Sequence, residues 1–178
     1  MSRLPILLAC LFLALFVAAC GDDEQEAAAP PAETEEPTPE APAGPVDVGD
    51  ISTDLKQKPE VAKPGGDPPA ELQSTDIVKG KGKVAEPGDN VSVQYAGYSW
   101  STGEQFDSSW DRGSEPFTFP LGGGQVIPGW DQGIAGMKVG GRRLLVIPPD
   151  LAYGAQSPSP DIAPNETLIF VVDLEKVG

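Results

Sequence analysis

The sequence predicts an α+β domain, a β-rich layer carrying one short helix, and three observations predict it. Apolar runs of strand length occur at Arg142–Ile147 and Thr167–Leu174. Strict alternation occurs at Val91-Ser92-Val93-Gln94-Tyr95 and again at Phe117-Thr118-Phe119. Helical spacing occurs once, within Pro128–Met137.

In chain order, alternation begins after Leu72. Ile77, Lys79, Lys81 and Lys83 share one parity and Val78 the other. Alternating lysines of this kind are expected to guard an edge strand against aggregation rather than to form a basic site. Gly88-Asp89 and Thr102-Gly103 are turn positions flanking the first clear strand. In the helix, Pro128 suits a first-turn position, where its missing N–H costs nothing. Trp130, Ile134 and Met137 fall at i, i+4 and i+7 and give it one apolar face. Gly133 and Gly136 are expected to weaken the helix, and Gly140-Gly141 to stop it. The two apolar runs follow as strands, with Arg142 and Arg143 on opposite faces and in no site.

Composition divides the chain before this domain. Of the twenty prolines, ten fall between Pro30 and Pro69, whereas ten of the twelve aromatic residues fall between Tyr95 and Phe170. Residues 1–19 read as a signal peptide: Arg3 precedes an apolar run from Ile6 to Ala19, shorter than the ~20 residues that span a bilayer. Val17-Ala18-Ala19-Cys20 resembles a bacterial lipobox, so the expectation is cleavage before Cys20 and lipidation of its thiol. Two or more acyl chains give stable attachment. Residues 20–50 are acidic, proline-rich and nearly free of large apolar side chains, and are expected to be a disordered tether. Thirty residues of polyproline II reach about 90 Å, enough to hold a domain clear of a membrane. Residues 51–71 regain Ile51, Leu55 and Val61 and are expected to form an arm packed on the domain, which itself covers 72–178.

The composition also excludes functions. With 12 basic against 27 acidic residues, the formal charge of −15 argues against binding a nucleic-acid backbone. There is no histidine, which removes Ser-His-Asp and Cys-His catalysis and His-ligated metals. The two cysteines, Cys10 and Cys20, both lie in the leader region, so the domain has no thiol. Asp150 and Asp161 fit no calcium-loop spacing, and neither a metal nor a cofactor is expected. Any chemistry must come from carboxylates, hydroxyls, backbone dipoles or an apolar environment.

The run VQYAGYSWSTGEQFDSSWDRGSEPFTFPLGGGQVIPGWDQGIAGMKVGGRRLLVIPPDLAYG, followed by IAPNETLIFVVDL, resembles the FKBP-type peptidyl-prolyl cis-trans isomerases. The resemblance covers residues 72–178, the whole globular part. It rests on YxG, FDSS, PF, QVIPGW, LAYG and LIFxVxL in order; each motif alone is weak. It implies a five- or six-stranded antiparallel sheet wrapped around one short helix, with an apolar pocket between them. It further implies that Tyr95, Phe106, Phe117, Trp130 and Phe170 line that pocket, with Trp130 as its floor. Val126 and Ile127 would form the edge, and the Ile127 N–H would face substrate. Asp107, Tyr153 and Ile162 would complete the wall, and Arg112 would hold Asp107. Phe106, Asp107 and Tyr153 are the implied catalytic residues.

Taken singly, each residue has an ordinary structural explanation. Aromatics are usually core, Asp107 before two serines suits a turn, and Arg112 pairs equally well with Asp111 or Glu115. One departure from the family pattern is the stretch Gly154-Ala155-Gln156-Ser157-Pro158-Ser159-Pro160-Asp161, with Asp161 and Ala163 where apolar residues or proline are usual. It forms a lip of the implied pocket and bears on affinity for macrolide inhibitors.

Together these readings describe a membrane-tethered, extracytoplasmic, monomeric prolyl isomerase acting on proline-containing exported polypeptides. Peptide rotation meets a barrier of about 18–20 kcal/mol and requires no acid, thiol or metal. The planar amide has a large dipole that water solvates and the twisted state loses, so a dry aromatic pocket favours twisting. Two alternatives stand beside this reading: a non-catalytic module that grips proline peptides, and an envelope structural lipoprotein whose aromatics are only core.

Overall fold

The computed structural model describes residues 46–178. The leader, Cys20 and the tether up to residue 45 lie outside the described residues. The strands are β1 (Gln73–Val78), β2 (Asn90–Ser99), β3 (Gln105–Ser108), β4 (Phe117–Pro120), β5 (Gly141–Ile147) and β6 (Leu168–Val177). One helix, α1 (Pro128–Ile134), and two 3-10 turns, Trp110–Arg112 and Pro149–Leu151, complete the regular structure. The six strands form one antiparallel sheet of order β1-β5-β6-β2-β3, with β4 also pairing β2. Strand β6 runs along the whole of one edge of β2. The other edge is shared, by β4 at Asn90–Val93 and by β3 at Ala96–Tyr98. Residues 109–116 loop out between them and carry the first 3-10 turn.

The central strands read as continuous apolar runs because both faces of the sheet are covered. On one face Val93, Tyr95, Leu145, Ile147, Phe170 and Val172 pack with Trp130 and Ile134 of α1. On the other, Ala96, Tyr98, Leu144, Val146, Ile169 and Val171 pack with Val46, Val48, Ile51 and Val61. Val46 and Val48 therefore correct the tether boundary. The expected disordered segment extends to residue 50, yet Val48 is buried at 4 % exposure and its carbonyl accepts the Ala62 N–H at 2.9 Å. Two valines in an otherwise polar stretch suffice, because the sheet offers them an uncovered apolar face.

Two further differences concern glycine and lysine. The expected helix runs to Met137, but α1 ends at Ile134 and Gly136, at φ 79°, turns the chain instead of Gly140-Gly141. Glycines 129 and 133 do more than lower helix propensity. A Cβ at Gly129 would lie 2.3 Å from Ile147 Cγ2, and one at Gly133 2.7 Å from Leu145 Cδ2, so both let α1 approach β5 closely. Lys79, Lys81 and Lys83 do not sit on an edge strand. After Val78 the Lys81 and Gly82 N–H groups both donate to the Val139 carbonyl, which is no ladder, and Lys83 pairs with Asp89.

The arm is fixed by polar contacts too. Tyr98 Oη donates to the Pro59 carbonyl at 2.7 Å, and burial pushes the phenol up to about 12. An unfolded tyrosine titrates near pH 10. The folded value is the higher, so this contribution to stability is complete below about pH 10 and is lost as pH rises toward 12, where the unfolded state ionises first. Wild type is expected to lose stability more steeply across that window than Tyr98→Phe, read as denaturation midpoint against pH. Parallel curves would show that the hydroxyl is not held in the fold.

Candidate active site

Between the sheet and α1 lies a cavity of ≈ 380 Å³, within the ~300–1,000 Å³ typical of small-ligand pockets. Its floor is Trp130, placed by the first turn of α1 and 4 % exposed. The indole meets Tyr95 edge-on at 5.0 Å between centroids, Phe170 at 5.2 Å and Phe117 at 6.2 Å. Phe106 stands edge-to-face on Phe170 at 5.5 Å. Alternation aims these rings at one space: Tyr95 on β2, Phe106 on β3, Phe117 on β4 and Phe170 on β6 all face α1. Gly97, two residues after Tyr95, keeps the wall open, since a Cβ there would lie 2.7 Å from both Phe106 and Phe170. The rings are not all core: Phe117 is 41 % exposed and Tyr153 39 %, both at the cavity's rim.

The edge is the loop Gln125-Val126-Ile127 leading into α1. Asp131 fixes it from the helix, accepting the Gly122 N–H at 2.8 Å and the Gly124 N–H at 3.1 Å. The Ile127 carbonyl accepts the Trp130 N–H at 2.9 Å, closing the first helical turn. Trp130 Nε1 is buried and has no partner among the described residues.

On the opposite wall Asp107 is held by three donors. Tyr95 Oη donates to its Oδ2 at 2.5 Å, the Ser108 N–H donates to Oδ1 at 2.8 Å, and Arg112 Nη1 is paired with Oδ1. Arg112 Nη2 also donates to Tyr95 Oη at 2.7 Å, and the guanidinium lies 5.6 Å from the Tyr95 ring centroid. The Arg112 bond to the Tyr95 hydroxyl, with the Asp107 charge beside it, pushes the guanidinium pKa up. Burial, reinforced by the bond to Asp107, raises that of Tyr95. Burial likewise raises Tyr153, with the Asp107 charge adding to it, so the Tyr153 hydroxyl stays a proton donor through neutral pH.

The structure thus brings together Tyr95, Phe106, Asp107, Phe117, Val126, Ile127, Trp130, Tyr153 and Phe170 around one cavity, with Arg112 behind Asp107. Ile162 is the exception: it is 5 % exposed and packed in the core, not in the cavity lining. Gln125 lines the cavity and was not expected; its place directly before Val126-Ile127 is the only signal it carries.

An aromatic floor, a pinned carboxylate and a rim hydroxyl thus face one cavity, and comparison with known proteins identifies the family. The model of the FKBP-type peptidyl-prolyl cis-trans isomerase family matches residues 81–175. The chain is 60 % identical over 122 residues to an FK506-binding protein of Streptomyces anulatus, covering 68 % of this chain and 98 % of that one. It is 48 % identical over 118 residues to a probable FK506-binding protein of Corynebacterium glutamicum, covering 66 % and 97 %. Among solved structures it is similar to AtFKBP13, with a TM-score of 0.55 and 38 % identity over 62 % of this chain and 96 % of that chain. It is also similar to FkpA from Escherichia coli, with a TM-score of 0.53 and 44 % identity over 60 % of this chain and 47 % of that chain. A β-sheet wrapped on one helix, with its aromatic cavity and these relatives, places the chain in the FKBP-type peptidyl-prolyl cis-trans isomerase family.

Proposed function

We propose that the protein is a lipid-anchored, extracytoplasmic, monomeric isomerase that speeds X–Pro exchange in exported polypeptides, and that the cavity over Trp130 is where it does so. The observation that carries the site is the convergence of six aromatic rings on one open cavity beside a carboxylate with fixed orientation. The prolyl ring packs on the Trp130 indole between Tyr95, Phe117 and Phe170. Phe106 shields the amide from water. Uncatalysed exchange takes tens to hundreds of seconds because twisting sacrifices amide resonance. Water stabilises the planar dipole, and removing it raises the ground state more than the twisted state. The Tyr153 hydroxyl and the Ile127 N–H hold the substrate's carbonyls, so the chain on either side of the bond is fixed while the bond turns. Asp107, unable to rotate away, repels the turning carbonyl oxygen and so favours one twisted geometry. Macrolides of the kind that give the relatives their name are candidate inhibitors at the same cavity.

The anchor is supported by Val17-Ala18-Ala19-Cys20 and by the acidic proline-rich stretch after it. Among the described residues no helix is long and apolar enough to cross a membrane. Cys20→Ser, expressed as the full chain in a bacterial host, is expected to leave the membrane fraction or to accumulate unprocessed. Wild-type partitioning of that variant would remove the lipid anchor from the reading and leave the cavity untouched.

A further inference from the structure

We infer that Lys58 and Asp111 are positioning residues for the isomerase site, tying the arm of residues 46–62 to the turn that carries Arg112. This rests on the proposed role of Asp107 in that site. The Arg112–Asp107 pair is half exposed, with side-chain exposures of 53 % and 40 %. Pairs of that kind contribute little by themselves, so how often Arg112 meets Asp107 depends on where the backbone presents it. That backbone is a single 3-10 turn, Trp110–Arg112, outside the sheet, without a side-chain cap and followed by Gly113 at φ 81°. Within the turn the bonds are local, Trp110 N–H to Ser108 Oγ at 3.2 Å and Arg112 N–H to the Ser109 carbonyl at 3.1 Å; its flanks are tied to β2, where the Tyr95 carbonyl accepts the Ser109 N–H at 3.1 Å and Gln94 Nε2 donates to the Ser114 carbonyl at 2.6 Å.

Asp111, inside the turn and next to Arg112, adds a side-chain anchor to the arm. Lys58 Nζ donates to both its carboxylate oxygens, at 2.9 and 2.7 Å, and Gln105 Nε2 of β3 donates to Oδ2 at 2.7 Å. Lys58 is in turn presented by a stretch of arm pinned on both sides. The Gln57 carbonyl accepts from Arg142 Nη2 at 2.9 Å, and the Pro59 carbonyl accepts from Tyr98 Oη at 2.7 Å. Arg142 and Tyr98 both belong to the sheet and are buried. A lysine held between two fixed residues, 53 positions away in sequence, thus grips the turn at Asp111. The adjacent arginine reaches Asp107 and the Tyr95 hydroxyl. The arm is then part of the enzyme, since it fixes the turn that orients the catalytic carboxylate.

The test is kcat/KM on a proline tetrapeptide in a protease-free assay, for folded variants of the full chain with matched melting temperatures. Lys58→Ala and Asp111→Asn are each expected to lower kcat/KM about two- to fivefold, the scale of one exposed ion pair. Lys58→Arg is expected to retain it. The deciding measurement is made in an Arg112→Ala background, where Lys58→Ala is expected to cost nothing further. A loss of equal size in both backgrounds would show that Lys58 acts elsewhere and overturn the inference. So would wild-type turnover in Lys58→Ala when Asp107→Val is slow. Wild-type turnover in Asp107→Val would instead overturn the site on which the inference rests.

Discussion

Replacing Arg142 by alanine is expected to cost about 3–5 kcal/mol of stability, the penalty for leaving a buried charge without its partner. Domains of this size are stable by only about 5–15 kcal/mol, so the variant should lie close to unfolding. Arg142 is fully buried and Asp173, directly opposite it on β6, is 4 % exposed. The pair is bidentate, Nε to Oδ1 at 2.5 Å and Nη2 to Oδ2 at 2.6 Å, the strongest arrangement open to a guanidinium and a carboxylate. Burial raises the Asp173 pKa against the opposing influence of Arg142. The remaining Arg142 donors reach the Ser52 and Gln57 carbonyls at 2.5 and 2.9 Å, so the variant also frees the arm. The double variant Arg142→Met/Asp173→Leu is expected to be more stable than Arg142→Ala, because it buries no orphaned charge. Denaturant midpoints decide it: a loss below about 1 kcal/mol in Arg142→Ala, the scale of an exposed pair, would mean that water already reaches this site.

Arg142 also marks a limit of what is legible in the sequence. The strands around it are readable because alternation and apolar runs are local signals, and β2, β5 and β6 lie where those signals put them. The pairing of Arg142 with Asp173 is not local. It depends on strand register, and the sequence offers only the hint of two opposite charges inside apolar runs. Gly129 and Gly133 show the same limit in another form. Helix propensity sees a cost at both, whereas their value lies in the 2.3 and 2.7 Å that a Cβ would leave to Ile147 and Leu145. The aromatic residues of the site were legible only through the order of their motifs, since nothing local separates a pocket ring from a core ring. Phe119 and Phe117, two residues apart, make the point: one is 2 % exposed and core, the other 41 % exposed at the rim. Ile162 was carried into the wall by the same order of motifs and belongs to the core, in the loop where this chain departs from the family pattern. Lys58 had no motif at all, because its meaning comes from where Gln57 and Pro59 are pinned.

Three substitutions at the cavity separate desolvation from hydrogen bonding as the source of rate, and their order is the expected result. Tyr153→Phe keeps the ring and removes one hydroxyl, so kcat/KM should fall by the worth of a single hydrogen bond, about 0.5–1.5 kcal/mol or roughly two- to thirteenfold. Phe106→Ala removes the ring that closes the wall against Phe170 at 5.5 Å between centroids and lets water reach the amide. If removal of water supplies most of the rate, this variant loses the most, more than about thirteenfold. Asp107→Val keeps the volume and removes the charge, and should fall between the two. It also leaves Arg112 and the Tyr95 hydroxyl without their shared acceptor, so part of its loss is the disorder of those groups. Truncating a packed aromatic can itself cost about 3–5 kcal/mol of stability, so each variant is compared only where denaturation shows it folded. Gly97→Ala provides a contrasting control: its Cβ would press on Phe106 and Phe170 from 2.7 Å, narrowing the cavity instead of opening it to water, and should raise KM more than it lowers kcat. A smaller loss in Phe106→Ala than in Tyr153→Phe would move the main source of rate from desolvation to the hydroxyl. Wild-type turnover in all three folded variants would place catalysis outside this cavity.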